Sequence, residues 1–248
     1  MRKTGLLVSV RNQDEAVIAE RAGADLIDLK EPGRGPLGRS DESVWTHVRG
    51  RVAGNRLLSA ALGEWGEWEA CGDAEIRQIL AKLEGFHFAK IGPADSVDDA
   101  GGGLERTYSK LKSLGPMDLK WIAVVYADQE SGCALPRHRI LDIAIRCGFD
   151  GVLIDTFDKS KPHFWDGKWD RFVRSVKEKG LFVALAGGID TRIVKRLASW
   201  DPDWLAVRGA ACRGGERSGQ VSYRKVRRLL ERLEQNDSIR SDFTGIRR

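Results

Sequence analysis

The stretch "DLIDLKEPGRGPLG" (residues 25–38) places Asp28 and Lys30 at the end of a buried apolar run, ahead of a glycine- and proline-rich turn. On an extended strand side chains alternate, so residues 28 and 30 project from the same face. An amine enclosed by apolar walls and beside other cations sheds its proton near neutral pH, and can then condense with a carbonyl as a Schiff base. Two further lysines occupy comparable positions: Lys90 in "FAKIG", and Lys159 in "LIDTFDK", four residues after Asp155. Lys161 is close enough to act in place of Lys159. Three ammonium groups at one mouth depress one another's proton affinity, and the neighbouring carboxylates are suited to moving protons.

Other polar residues fall on or just after apolar runs: Ser59, Tyr126, Asp128 and Arg208. Two glycine-rich turns read as anion sites. One is "LAGGID", with Gly187 and Gly188; the other is "VRGAACRGGERSG", with Gly209, Gly214 and Gly215. Glycine lets backbone N–H groups approach a phosphate closely, and a following helix N-terminus adds partial positive charge. Arg208 and Arg213 would complement that charge. These residues are therefore expected to contact substrate or its phosphate.

The elements that must position these groups follow from period. Short apolar runs recur at 5–10, 25–30, 56–62, 86–92, 120–127, 150–156, 181–188 and 203–209, each of strand length and each followed by a turn residue. Segments with helical spacing lie between them, most ending at or near glycine. Eight near-continuous apolar strands alternating with eight helices predict an α/β fold, a parallel sheet closed as a (β/α)8 TIM barrel. A doubly wound open sheet is the alternative, and the first turn "SVRNQDEA" lacks the GxGxxG expected of its nucleotide-binding form. No linker divides the chain, so residues 1–235 are expected to form a single domain. The remaining 236–248, without apolar period, are expected to fray or to pack on a neighbouring subunit.

Composition narrows the function classes. A chain of 248 residues with 42% hydrophobic and 31% charged residues reads as a soluble globular protein. It has no apolar stretch approaching the roughly 18–20 residues of a membrane span. The opening apolar run is too short for a signal core, which points to the cytoplasm. Four dispersed cysteines (71, 133, 147, 212) and four histidines (47, 87, 138, 163) show no ligand spacing, so no metal site is expected. Eight tryptophans are scattered instead of interleaved with basic residues, and the net charge of +5 does not by itself indicate nucleic acid.

Taken together, "LLVSVRNQDEAVIAERAGADLIDLKEPGRGPLG", "FAKIG", "YAD", "LIDTFDK" and "ALAGGI…VRGAACRGGERSG" resemble the (5-formylfuran-3-yl)methyl phosphate synthase family of methanofuran biosynthesis, over most of residues 5–230. The resemblance implies a lyase of barrel fold that joins two molecules of glyceraldehyde 3-phosphate into a phosphorylated furan aldehyde, releasing phosphate and water. It implies no metal or organic cofactor, a triose phosphate as the binding partner instead of nucleic acid or membrane, and a homo-oligomer. It carries the Schiff-base role onto Lys30, with Asp28 as its companion acid, and assigns acid–base work to Asp155 and Lys159. Lys90 then tunes the amine or shuttles protons. The resemblance departs at "LGEWGEWEACG" (62–72), where the family has a loop carrying proline and lysine. That departure bears on closure over the mouth and on the second substrate. Another Schiff-base aldolase or a sugar-phosphate isomerase on the same scaffold is the alternative reading among enzymes. A basic nucleic-acid-binding protein is the alternative outside them.

Overall fold

The computed structural model describes residues 4–52, 56–99, 102–161 and 165–244. His163 lies outside them. Eight parallel strands, β1 (Gly5–Val10), β2 (Leu26–Leu29), β3 (Leu57–Glu64), β4 (Phe88–Gly92), β5 (Lys120–Tyr126), β6 (Gly151–Asp155), β7 (Phe182–Leu185) and β8 (Trp204–Val207), pair in chain order. Pairing of β1 with β8 closes the barrel. The expected (β/α)8 architecture is the observed one.

Strand sequences such as "GVLID" in β6 are apolar up to their last residue because both faces are covered, one by the barrel interior and the other by helices. The helices are α1 (Gln13–Arg21), α2 (Glu42–Arg51), α3 (Gly66–Glu69), α4 (Asp73–Ala81), α5 (Gly103–Leu114), α6 (Arg137–Arg146), α7 (Gly167–Glu178), α8 (Val194–Ala198) and α9 (Tyr223–Thr244). In α7, Trp169, Phe172, Val173 and Val176 recur at helical spacing and are buried, while the Asp166 carboxylate caps the first turn by accepting from the Lys168 N–H.

One feature differs from the sequence expectation: helix α3 is an extra turn between β3 and α4, too short to carry a period. Helix α9 runs from Tyr223 to Thr244, and no glycine or proline interrupts it before Gly245. Residues 245–248 lie outside the description.

Two apolar bodies result. A large one fills the annulus between strands and helices. A smaller one fills the barrel, where Leu7, Leu26, Phe88, Ile122, Val124, Leu153, Ala184 and Ala206 pack in layers. Phe88 stands edge-on to both Phe182 and Trp204, at centroid distances of 5.9 Å and 5.1 Å, and plugs the N-terminal end. Polar side chains on the interior face are thereby concentrated at the opposite end.

Candidate active site

At the C-terminal ends of the strands lies a cavity of about 510 Å³, walled on one side by the turns after β7 and β8. Ser9, Asp28, Lys30, Lys90, Asp155 and Lys159 line it. All but Lys159 are buried residues on inward-facing strand positions or the residue just beyond.

The acids and lysines sort into pairs. Asp28 accepts hydrogen bonds from Ser9 Oγ at 2.9 Å and Ser59 Oγ at 2.6 Å, and forms an ion pair with Lys90. Asp155 Oδ1 is bound by Lys159 Nζ at 2.6 Å and by the Thr156 N–H at 2.8 Å, whereas its Oδ2 is buried without a hydrogen-bond partner. Lys30 stands apart. Its Nζ donates to the Pro36 carbonyl at 3.3 Å and makes no ion pair among the described residues. The glycine–proline segment explains its enclosure. Glu31 N–H donates to Gly38 O at 2.8 Å, so residues 31–38 close on themselves and bring Pro36 over the amine.

Electrostatics follow from this sorting. Burial, reinforced by the charges of Lys159 and Lys90, pulls the Lys30 amine down from 10.5 to about 7; Asp155 and Asp28 only partly offset it. Burial opposes ionisation of Asp155, but the Lys159 and Lys30 charges and two hydrogen bonds outweigh it and keep the carboxyl below the usual range. Burial also lowers Lys159, against the restoring effect of Asp155. The site thus places a readily deprotonated amine near a carboxylate with one free oxygen, and beside two lysines already paired with acids. That set can capture a carbonyl and move protons around the resulting iminium.

A family model for 4-HFC-P synthase matches residues 6–230 of the chain. The chain belongs to that family. Among its relatives, the (5-formylfuran-3-yl)methyl phosphate synthase of Methanosarcina barkeri is 30% identical, covering 91% of this chain and 97% of the relative. The enzyme of the same name from Methanothermobacter thermautotrophicus is also 30% identical, covering 92% and 98%. Among solved structures, phosphoribosyl anthranilate isomerase from Thermus thermophilus superposes with a TM-score of 0.63 at 14% identity, covering 95% of this chain and 99% of that one, and shares the fold.

In this member of the family, several residues expected at the substrate are committed to partners within the protein. Arg208 lines the cavity as expected, but its donors face inward. Its guanidinium is buried and fully committed: Nη1 and Nη2 bind Glu15 at 2.5 Å and 3.1 Å, and the remaining donors reach the carbonyls of Ser9, Arg217 and Gly219. No N–H is left for a phosphate. Asp128 accepts from the Phe157 and Asp158 N–H groups at 2.7 Å and 2.9 Å, so it shapes the turn that carries Lys159 and does not line the cavity. The Tyr126 hydroxyl donates to Glu64, and burial with the nearby Glu64 charge pushes it well above its ordinary value. Ser59 lies beneath the cavity as a support for Asp28, and the exposed Arg213 and Gly214 are off its wall.

The glycines on the wall are Gly187, Gly188, Gly209 and Gly215. The N–H groups of Gly187, Gly188 and Gly209 have no acceptor among the described residues. Gly187 has a φ of 92°, and a β-carbon there would stand 2.9 Å from Thr156 Cγ2.

Reading the sequence missed Ser9, Glu15 and Glu64. Ser9 shares the inward face of β1, a signal of the kind that singled out Asp28. Glu15 gave none, because it reads as the first turn of α1 capped by Asn12. The divergent segment 62–72 is anchored by two tryptophans: Trp65 and Trp68 are buried and donate to the carbonyls of Ala94 and Leu62 at 2.7 Å and 2.8 Å.

Proposed function

We propose that the chain is a Schiff-base-forming lyase that converts two molecules of glyceraldehyde 3-phosphate into (5-formylfuran-3-yl)methyl phosphate, on the route to methanofuran. Family membership supports the product. The observation that carries the chemistry is Lys30, enclosed without an ion pair and with its amine brought to about 7.

In this reading the neutral Lys30 Nζ adds to the carbonyl of one triose phosphate, and the carbinolamine loses water with a proton supplied from the Asp155–Lys159 pair. The iminium acidifies the adjacent C–H. Asp155, through its unpartnered Oδ2, takes that proton and leaves an enamine that can expel the phosphate one carbon further on. The remaining three carbons join the second triose, and ring closure with dehydration gives the furan. Atoms balance as two C3H7O6P going to C6H7O6P, H3PO4 and two H2O. The Lys90–Asp28 pair sits beneath as a fixed charge and proton relay.

Borohydride reduction in the presence of glyceraldehyde 3-phosphate, followed by peptide mapping, tests this. Mass should be added at Lys30, and a species absorbing in the near ultraviolet should accumulate without borohydride. Trapping at another lysine would remove the nucleophile assignment. Trapping at Lys30 with only a non-conjugated aldol product would leave an aldolase.

A further inference from the structure

A reaction on triose phosphates needs cations for the phosphate, and this inference rests on the proposed function in that respect. Most cations at the cavity are already committed. Lys90 and Lys159 are paired with acids, Arg208 is bound to Glu15, and Lys30 is needed uncharged. Arg217, Lys225 and Arg228 also line the cavity, and none of them makes an ion pair among the described residues.

Arg217 is distinct from the other two. Its Nη2 is buried without a hydrogen-bond partner, a state that is costly for a guanidinium unless a ligand supplies the acceptor. Its backbone is held before any ligand arrives. Arg208 Nε donates to the Arg217 carbonyl and Arg208 Nη2 to the Gly219 carbonyl, each at 2.8 Å. Arg217 also runs close to Gly209: a β-carbon added at Gly209 would stand 3.7 Å from Arg217 Cγ and 2.7 Å from the Gly215 carbonyl. The side chain and the unpaired Gly209 N–H therefore share one corner of the cavity. The charge of Asp155 acts on this guanidinium, which places the corner near the acid–base pair.

We propose that Arg217, together with the Gly209 N–H, is the phosphate-binding subsite of the cavity, and that Arg208 is its positioning residue. The planar guanidinium grips two phosphate oxygens, while Lys225 and Arg228 supply an outer rim that draws the dianion in.

The test compares Arg217→Gln and Arg217→Lys with the unmodified protein. Half-saturating concentrations for borohydride trapping are measured with glyceraldehyde 3-phosphate and with unphosphorylated glyceraldehyde, and inorganic phosphate is titrated by calorimetry. Arg217→Gln should raise the half-saturating glyceraldehyde 3-phosphate concentration roughly 10- to 100-fold and weaken inorganic phosphate at least about tenfold. It should change glyceraldehyde trapping less than about twofold, with Arg217→Lys in between. Equal phosphate affinity in the Gln variant, or equal weakening for both aldehydes, would overturn the proposal. The Arg217 carbonyl, not its side chain, meets Arg208, so the loop should keep its shape. An unchanged melting temperature checks this, and the Lys variant carries the comparison if the Gln variant melts early. A protein that traps nothing at Lys30 yet binds inorganic phosphate through Arg217 would sink the proposed reaction and leave the subsite standing.

Discussion

Over β3 to β5 the barrel mouth is filled, whereas from β6 round to β1 it is open, although the strands are equivalent in pairing and direction. On the filled side Tyr126 packs edge-on to Phe157 at 5.2 Å, Leu37, Ala94 and Ala134 close over it, and the phenol is tied to Glu64. On the open side the corresponding interior positions are Ala186 and Ala206, followed by Gly187, Gly188 and Gly209. The backbone fixes where side chains converge, and their sizes decide whether the convergence becomes a plug or a pocket. Lys30 lies between the two, walled in by one half and facing the cavity in the other. Its lowered proton affinity comes chiefly from the enclosure.

The comparison can be broken most severely at that boundary. Replacing Lys30 with alanine should abolish trapping and reduce furan formation by about 10⁴-fold or more, measured by product absorbance. Retained turnover would mean that the open half works without the amine. On the open side, Asp155→Asn should lower turnover by about 10² to 10⁴-fold while leaving a slowly trappable Lys30.

The pH dependence sharpens the role of the filled half. Trapping at subsaturating aldehyde should rise through about pH 7 as the Lys30 amine loses its proton. Because folding lowers this group's affinity, the unfolded chain holds more protons between about pH 7 and 10, and stability should rise with pH across that window. Lys30→Met should remove that rise and increase the melting temperature more at pH 7 than at pH 10.

Smaller effects are expected away from the reacting atoms. Glu15→Ala strands the buried Arg208 and should cost about 3–5 kcal/mol in denaturant unfolding. Tyr126→Phe removes one hydrogen bond of the filled half. It should cost about 1–2 kcal/mol of stability and change turnover by less than about threefold. A large loss of turnover there would show that the filled half takes part in chemistry.

The barrel was legible because fully covered strands leave unbroken apolar runs, and all eight appear where period places them. The C-terminal ends of β7 and β8 read slightly long, running on through Ala186 and Arg208 beyond the strands' last residues, Leu185 and Val207. The lysines and acids of the site were legible for the same reason, as polar residues closing apolar runs. Their partners were not. Asp28 and Lys30 share a face, yet Asp28 is taken by Lys90 from β4 and by serines on the flanking strands β1 and β3. Which neighbours meet is set by barrel tilt and closure, which no local spacing encodes. Arg208 and Glu15 are separated by 193 positions and meet only through the β1–β8 seam, so the arginine reads as an anion handle until its partner is seen.

That seam has a bearing on biogenesis. The Glu15 and Ser9 contacts of Arg208 depend on the last strand docking against the first, and Arg217 hangs from the same guanidinium by its own carbonyl. During synthesis Lys30 leaves the ribosome well over a hundred residues ahead of Arg217, although the two line one cavity. A chain cut short before β8 could neither close the barrel nor enclose Lys30, so the cavity is completed only when the last strand has been made.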